Sequence, residues 1–457
     1  MTASDGPRAE PPAPGAAAPP QEAAGTPRRL PGVPRPRDRA ANGATALPPA
    51  TLAFVESPVQ LLNVLEWAYE EGGAGPLGGA SAPDAPAAPG APAEATAPAH
   101  TSGPPVAPGH VCGPPAAAAP PERAPAATAL TIVVLSPHDP MTRGQLRRMA
   151  ELAREEGHSV RWEDARGGAT APLRTIGGLA PLLRRAERIV IGDPFSRYVQ
   201  LLLTLARARD LVVVDDGTAT MEFIAQLARG ERLVRWHRHG SGRGARDLVF
   251  APFARAARRR LTPAPEGGRR TVGVFSSMPV EAPPGVRIAT NAFAWTRRRF
   301  GPPRLTRAAD IVGTSLVETG VVDLDRYLAA VAQLARTHGA TRYFAHRREH
   351  TDKLHRLATE TGLEVVRPDL PLELIARRGP IGRLIVSFPS TVVHTLPLAL
   401  VGTGVRVAVC DVDPAWLTSR ASPRAQGFLD DVTGTARGVD RLPPESATEP
   451  EPPTATE

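Results

Sequence analysis

The sequence predicts an α/β protein with two Rossmann-like domains whose parallel sheets face a common cleft. Short apolar runs of strand length recur along the chain, and most are followed by a segment with helical periodicity. Strands that are apolar throughout, instead of alternating, are typical of parallel sheets covered on both faces. This alternation is interrupted near 262–270 and then resumes, which indicates a second domain. A chain of 457 residues is long enough for both.

Proline is distributed unevenly and marks segments that we expect to be disordered. The 52 prolines crowd into the first 50 residues, a stretch near 73–128 and the last 20 residues. Such segments cannot bury enough apolar surface to offset the entropy of ordering. We therefore expect disordered tails at 1–48 and 437–457 and a disordered insertion at 72–128, with the two domains spanning 49–265 and 266–436.

The first domain opens with the apolar strand 51–55. Ser57 is a typical N-cap, and Pro58 suits the first position of the helix that follows. After the insertion, alternation resumes and reaches a fully apolar strand at 211–214. Further strands are predicted at 130–135, 159–162 and 188–191, with helices at about 143–156 and 196–208, and a basic segment follows at 229–262.

We expect the second domain to begin with the strand 271–275. Ligands of open parallel sheets bind in the crevice outside the carboxyl ends of the strands. Polar residues directly after a strand are therefore the candidate site residues. Predicted strands lie at 310–312, 341–345, 363–366, 383–387 and 406–409, and helices at about 325–337, 349–361, 371–378 and 392–401.

Composition excludes several classes of protein. The formal net charge is +8, almost all of it from arginine, since Lys353 is the only lysine. With abundant Ala, Pro and Gly, this bias is typical of a GC-rich genome. It is weak evidence for nucleic-acid binding and better evidence for anionic substrates or an anionic membrane surface. Cys112 and Cys410 make neither a disulfide framework nor a zinc site.

No targeting or membrane-spanning segment is evident. The N-terminal region lacks an apolar core of the kind found in secretory signals, and no run of 18 apolar residues exists. Cytoplasm is the expected location, with peripheral association at the inner face of a membrane left open. The oligomeric state is equally open.

Asp215-Asp216-Gly217 directly follows the strand 211–214. Two adjacent carboxylates at the end of a buried strand face the expected crevice, and their repulsion raises one pKa, which suits a general base. The alternative is a strand-ending turn, in which Asp and Gly are common. Because the spacing is not Asp-x-Asp, a metal clamp is less favoured.

Three further strand-to-helix junctions carry candidate site residues. His346, followed by Arg347, could donate a hydrogen bond to a phosphate; the alternative is a surface histidine in a solvated charge run. Ser390 and Thr391 could cradle a phosphate or simply cap a helix. Glu373 could accept hydrogen bonds from ribose hydroxyls or serve as a favourable acid in a first helical turn.

Taken in order, these segments resemble the bacterial sialyltransferases and polysialyltransferases of lipooligosaccharide and capsule synthesis. The resemblance covers roughly 50–71 and 129–410. It rests on VESPVQLLN near the start of the first domain, IGDPFSRY at 191–198, DDG at 215–217, IVGTSLVETG at 311–320, YFAHRRE at 343–349, PLE at 371–373 and SFPSTVVHTL at 387–396.

The resemblance implies a GT-B fold and an inverting transfer that needs no metal and no cofactor. It implies a CMP-activated, sialic-acid-like donor and a glycan acceptor. Asp215 is the favoured general base, with Asp216 as the alternative. His346, with Ser390 and Thr391, would bind the phosphate of the leaving CMP, and Glu373 would lie near the ribose.

One departure from the family pattern concerns the donor. The family commonly has proline after this histidine, whereas Arg347 follows His346 here and adds a cation near the nucleotide or the sugar carboxylate. Another CMP-linked acidic sugar is therefore an open possibility for the donor. The sequence also leaves open a UDP-sugar transferase of the same fold, an inactive relative, and a non-enzymatic binder of anionic polymers using 258–260 and 297–299. No nucleic-acid-binding motif is evident.

Overall fold

A computed structural model describes residues 50–73, 130–164, 171–234, 245–265, 267–421 and 423–444. These residues form two parallel sheets with helices packed on them, as the GT-B type fold class requires, and that prediction is confirmed. The expected N-terminal tail at 1–48 lies outside the described residues. So does the expected insertion at 72–128, apart from its first two residues, which end a helix.

The first sheet has seven parallel strands in the order β3-β2-β1-β4-β5-β6-β7. Its strand β1 is buried at all five positions, because helices cover both faces. The elements in chain order are β1 (Thr51–Val55), α1 (Pro58–Gly73), β2 (Leu130–Leu135), α2 (Pro140–Glu155), β3 (Ser159–Glu163), α3 (Ala171–Arg185), β4 (Arg188–Ile191), α4 (Arg197–Leu205), β5 (Asp210–Val214), α5 (Thr218–Ala228), α6 (Ala245–Leu261), β6 (Thr271–Ser276) and β7 (Val286–Thr290).

The second sheet has six parallel strands in the order β10-β9-β8-β11-β12-β13. A short helix, α7 (Ala294–Phe300), connects it to the first sheet. The remaining elements are β8 (Leu305–Val312), α8 (Leu324–His338), β9 (Ala340–Phe344), α9 (Thr351–Thr361), β10 (Glu364–Val366), α10 (Leu372–Arg378), β11 (Ile381–Ser387), α11 (Val392–Ala399), β12 (Arg406–Cys410), α12 (Pro423–Thr435) and β13 (Asp440–Leu442).

The boundary between the domains lies further along the chain than the sequence suggested. The expectation that the strand beginning at Thr271 opens the second domain is wrong, because β6 pairs with β5 and β7 pairs with β6. The basic segment at 229–262 contains α6, one of the two helices that connect the parallel strands β5 and β6. The many arginines of α6 make its sequence look polar, but one face of the helix is apolar. Ala257 and Leu261 on that face are buried in the core of the first domain.

The C-terminal boundary also differs from the expectation. Within the expected tail at 437–457, residues 440–442 form β13, which pairs in parallel with β12 at the edge of the second sheet. A three-residue strand is too short to show periodicity. The proline-rich composition around residues 440–442 therefore led to the prediction of a disordered tail. Residues 445–457 lie outside the described part.

Apolar packing joins the two sheets below the cleft. One core cluster contains Leu61, Leu62 and Leu65 of α1 together with Leu370 and Leu374 from the second sheet's connections. Leu374 is fully buried, and burying a leucine side chain contributes about 1.5–3 kcal/mol. This packing holds the two sheets together, so the loops at the carboxyl ends of their strands lie on opposite sides of the cleft. In the described residues no helix is both long and apolar enough to span a membrane.

Candidate active site

One cleft at the carboxyl ends of the strands brings together all seven residues that the sequence singled out. The space between its walls measures about 1320 Å³, including volume open to solvent. The first sheet supplies a first wall, defined here by Asn63 and 215–217. The second sheet supplies a second wall, defined by His346, Arg347, Glu373, Ser390 and Thr391.

Asp215 follows β5 directly and is only 1% exposed. Its Oδ2 accepts hydrogen bonds from the Ser277 backbone N–H at 3.1 Å and hydroxyl at 2.8 Å, and its Oδ1 accepts from the Gly217 N–H at 3.1 Å. Burial raises the pKa of Asp215, while hydrogen bonds involving Thr220 and Ser277 act in the opposite direction. The carboxyl group is thus a buried proton acceptor in a fixed orientation.

Asp216 is half-buried and lies beside Asp215 on the same wall. Its backbone N–H donates to the Thr220 hydroxyl at 3.0 Å, inside the first turn of α5. This contact fixes the backbone between the two acids, and both residues belong to the lining of the cleft. The geometry therefore leaves both as candidates for a general base.

A chain of buried amides supports this wall, and sequence reasoning missed it. Asn63 Nδ2 donates to the Asp215 carbonyl at 2.8 Å, and Asn63 Oδ1 accepts from Asn291 Nδ2 at 2.9 Å. Asn291 Oδ1 in turn accepts from the Phe293 N–H at 2.9 Å. Asn63 lies within the VESPVQLLN segment, so that motif held a usable signal.

Phe293 and Ser277 carried no usable signal in the sequence. Phe293 lines the cleft in a left-handed conformation with φ 54°, which is strained for a residue with a side chain. Such strain depends on the tertiary contacts around the residue. Ser277 follows β6. Because the sequence analysis placed that strand in the second domain, it could not predict the contact between Ser277 and Asp215.

The two walls touch at Gly217 and Thr391. Gly217 has φ 64°, a conformation that favours glycine, and a Cβ there would lie 2.7 Å from Thr391 Cγ2. The glycine therefore permits both the turn into α5 and the close approach of the second wall. It also places the Asp-Asp pair next to the hydroxyl residues before α11.

His346 lies two residues beyond β9 and is held by its own loop. Its backbone N–H donates to Glu349 Oε2 at 2.6 Å, and its Nδ1 accepts from the Arg348 N–H at 3.2 Å. Burial, followed by the positive charges of Arg347, Arg348 and Lys353, lowers the pKa of His346 to about 4. The ring is therefore neutral at pH 7, and because Nδ1 accepts a hydrogen bond, Nε2 carries the proton.

Ser390 and Thr391 lie between β11 and α11. Thr391 occupies the N-cap position of α11, but its side chain makes no capping hydrogen bond. The Ser390 hydroxyl lies 3.4 Å from that of Ser387, a marginal distance for a hydrogen bond. The capping alternative therefore does not account for Thr391, and both residues line the cleft at the positive end of a helix.

Glu373 lies in the first turn of α10 and is 5% exposed. Its Oε1 accepts a hydrogen bond from the Thr395 hydroxyl at 2.6 Å. Burial raises the pKa of Glu373, the Thr395 hydrogen bond opposes this, and the negative charge of Asp215 adds to it. Two buried acids from opposite walls thus repel each other across the cleft.

Arg347 is exposed and lines both the cleft and an adjoining polar groove. Arg367 does the same, and its guanidinium donates to the Thr351 hydroxyl at 3.2 Å. Two cations therefore flank the opening beside His346. Among the described residues, no group of three or more His, Cys, Asp and Glu side chains is arranged to hold a metal ion.

Comparison with known proteins gives coarse similarities. No protein-family model and no curated protein matches the chain. Similar solved structures include a sialyltransferase of Photobacterium phosphoreum acting on α/β-galactosides (8% identity, 86% of this chain and 98% of that chain, TM-score 0.42). Others are MurG of Acinetobacter baumannii (9%, 86% and 85%, 0.33) and the E. coli heptosyltransferase WaaC with ADP (12%, 85% and 99%, 0.33). At these TM-scores, none of the similarities indicates what the chain binds or catalyses.

Proposed function

We propose that this protein is an inverting, metal-independent glycosyltransferase that moves a sialic-acid-like sugar from a CMP-sugar to a glycan acceptor. The observation that carries the proposal is the placement of Asp215 and Asp216 opposite His346, Ser390 and Thr391 in one cleft. These residues come from motifs that are far apart in the sequence and are each weak alone. Their convergence supports the resemblance on which their roles rest.

The second wall suits the departure of a single phosphate. A CMP-sugar leaves with one phosphate, whose growing charge must be stabilised as the glycosidic bond breaks. His346 is neutral and carries its proton on Nε2, so it can donate a hydrogen bond to that phosphate. The hydroxyls of Ser390 and Thr391 and the N-terminal end of α11 add further donors.

The first wall suits proton removal from the acceptor. In an inverting transfer, the acceptor hydroxyl attacks the anomeric carbon from the side opposite the leaving phosphate. A carboxylate on the facing wall then takes the hydroxyl proton. Asp215 remains the favoured base, since burial raises its pKa towards the working range of a base. Asp216 is the alternative on the same wall.

Arg347 gives the proposal its donor class. A nonulosonic sugar carries a carboxylate at its anomeric carbon, close to the phosphate that His346 would bind. An arginine beside His346 can pair with that carboxylate. Arg347 already lies near one carboxylate, that of Asp139, whose pKa its charge helps to lower, and the sugar carboxylate would be a second anion beside it.

The test measures the release of CMP from CMP-N-acetylneuraminic acid and its deaminated analogue, with and without EDTA. The full chain is compared with His346→Gln and with the control Asp310→Asn. Asp310 is a buried acid of β8 that pairs with Arg342 and lies outside the cleft lining. Loss of its charge therefore reports on general destabilisation.

We expect CMP release that survives EDTA, falls in His346→Gln and persists in Asp310→Asn. Binding of UDP in preference to CMP would overturn the donor assignment and favour a UDP-sugar transferase of the same fold. Equal loss in the control variant would mean that the His346 effect is not specific to the cleft. Salt-sensitive binding of polyanions without any CMP-sugar consumption would favour a non-enzymatic role.

A further inference from the structure

A buried charge cluster lies directly beneath the His346 loop. Lys353, the only lysine of the chain, has a side chain that is 3% exposed. Its Nζ lies 2.7 Å from Glu349 Oε1 and 3.5 Å from Glu318 Oε2. It also donates to the Thr314 carbonyl at 3.1 Å and lies 4.1 Å above the centre of the Tyr327 ring.

Glu349 connects this cluster to His346. Its side chain is fully buried and uses both oxygens. Oε1 accepts from the Tyr343 hydroxyl at 2.6 Å and from Lys353, and Oε2 accepts from the His346 backbone N–H at 2.6 Å. The Glu349 N–H donates back to the His346 carbonyl at 3.0 Å. The Glu349 side chain and backbone therefore hold both ends of the loop 346–349 together.

Glu318 connects the same lysine to a second loop. It belongs to the IVGTSLVETG segment after β8, to which the proposed function assigns no role. Its Oε1 accepts from the His350 N–H at 3.3 Å. Lys353 thus ties the loop after β8 to the loop after β9, and Gly313 and His346 of these loops both line the cleft.

Gly313 shows how little space the cluster leaves. A Cβ at Gly313 would lie 2.4 Å from Glu349 Oε2 and 2.5 Å from the Tyr343 hydroxyl. Any side chain there would displace the carboxylate that holds the His346 backbone. The glycine at the end of β8 is therefore part of the same arrangement.

We propose that Lys353, Glu349 and Glu318 form a clamp that fixes the His346 loop and thereby holds the His346 ring in its Nε2–H tautomer. Lys353 acts as a positioning residue, because it touches His346 only through Glu349. Without the ammonium, the two buried carboxylates would lose their shared cation, and either the two loops would separate or the carboxylates would take up protons. The consequence for catalysis rests on the proposed function, whereas the ring tautomer does not.

The first experiment uses the single lysine as a probe. The full chain is labelled with lysine carrying ¹⁵N at Nζ, so the protein gives one side-chain ammonium signal in NMR spectra. We expect protons that exchange slowly with water near neutral pH, and loss of this protection in Glu349→Gln. An ammonium in wild-type protein that exchanges as fast as free lysine would overturn the clamp.

The second experiment reads the tautomer from ¹⁵N-labelled histidine, with the His346 signals assigned by their absence in His346→Gln. In Lys353→Met and Gly313→Ala we expect the two ring nitrogens to shift towards the averaged values of a free imidazole. Lys353→Arg should retain part of the wild-type pattern. Gly313→Ala changes no charge, so it keeps the test informative if Lys353→Met fails to fold.

Arg342→Met is the matched control. It leaves Asp310 buried without its bidentate partner in the same sheet, so it should lower stability without moving the His346 signals. Wild-type signals in both Lys353→Met and Gly313→Ala would overturn the proposal, as would an equal shift in Arg342→Met. For CMP release we expect kcat to fall about 10-fold or more in Gly313→Ala with little change in KM. An altered tautomer with unchanged kcat would keep the clamp and count against the role proposed for His346.

Discussion

The two walls of the cleft place opposite kinds of titratable group after similar parallel strands. Asp215 follows β5 as a buried acid, and burial raises its pKa against the hydrogen bonds that it accepts. His346 lies two residues beyond β9 as a half-buried base, and burial, followed by neighbouring cations, lowers its pKa. In both cases, burial favours the neutral form. Burial thereby raises the proton affinity of the ionised Asp215 carboxylate on the first wall, and it leaves the His346 ring on the second wall able to donate a hydrogen bond without carrying charge.

The largest expected effect separates the two acids of the first wall. Asp215→Asn and Asp216→Asn keep the shape of the side chain but remove the proton acceptor. We expect the variant at the true base to lose about 10²–10⁴-fold in kcat, because general base catalysis contributes that much. The other variant should lose far less, and the measurement is CMP release at saturating donor. Equal, small losses of kcat in both variants would mean that neither Asp215 nor Asp216 is the general base.

A pH comparison distinguishes an acid behind the first wall from the histidine of the second. Glu66 of α1 is fully buried and accepts hydrogen bonds from Trp295 N–H at 2.8 Å and Thr296 N–H at 2.9 Å, at the start of α7. Burial raises the pKa of Glu66 to about 7 from its ordinary 4.5, although these hydrogen bonds oppose the change. The folded state then binds more protons than the unfolded state, so stability falls as pH rises from 4.5 to 7.

Glu66→Gln should remove that dependence, which is of the order of 3 kcal/mol in unfolding free energy. The measurement is urea unfolding at about pH 5 and about pH 8, with the exposed Glu151→Gln of α2 as the control. His346→Gln should act with the opposite sign, because a folded pKa of about 4 makes stability rise with pH up to the ordinary 6.5. Identical pH slopes in all three variants would contradict both assignments.

The contact between the walls can be broken at Gly217. Gly217→Ala adds a Cβ 2.7 Å from Thr391 Cγ2 to a backbone with φ 64°. We expect a loss of about 2 kcal/mol or more in unfolding free energy. Gly230→Ala is the matched control: its φ is 72°, but its Cβ would meet only the end of the Arg258 side chain, at 3.6 Å.

Thr391→Ser tests whether that loss comes from the contact. It removes the methyl group that clashes and keeps the hydroxyl, so Gly217→Ala with Thr391→Ser should recover part of the stability. The coupling between the two changes is read from a double-mutant cycle. A cost for Gly217→Ala no larger than that for Gly230→Ala would mean that the walls do not meet closely in solution.

Much of this arrangement could be predicted from sequence because its signals are local. The strand before Asp215 and the strand before Ser390 are apolar runs followed by polar residues, and the carboxyl ends of parallel strands converge. The structure accordingly brings all seven predicted residues to one cleft. Their chemical roles depend on ligands and remain proposals.

What sequence could not predict depends on contacts between distant segments. The residues of Thr271–Ser276 do not determine which sheet the strand joins, because its parallel pairing with β5 depends on tertiary contacts with distant segments. The positive φ of Phe293 is likewise set by its surroundings. Lys353 was visible as the only lysine, yet its pairing with Glu318 and Glu349 joins loops that follow two different strands.

The smallest expected effect concerns the cations around His346. Arg348 is exposed, and its charge contributes to the low pKa of His346 after burial and Arg347. Arg348→Gln removes that charge but keeps the backbone N–H that donates to Nδ1. We expect the pKa of His346 to rise by only a few tenths of a unit, since exposed charges are screened by solvent and salt. The measurement is NMR titration of the ring, with Arg356→Gln of α9 as the control. If the pKa falls, or if the change persists undiminished in high salt, the attribution to the surface charge of Arg348 is wrong, and burial with the charges of Arg347 and Lys353 keeps the ring neutral.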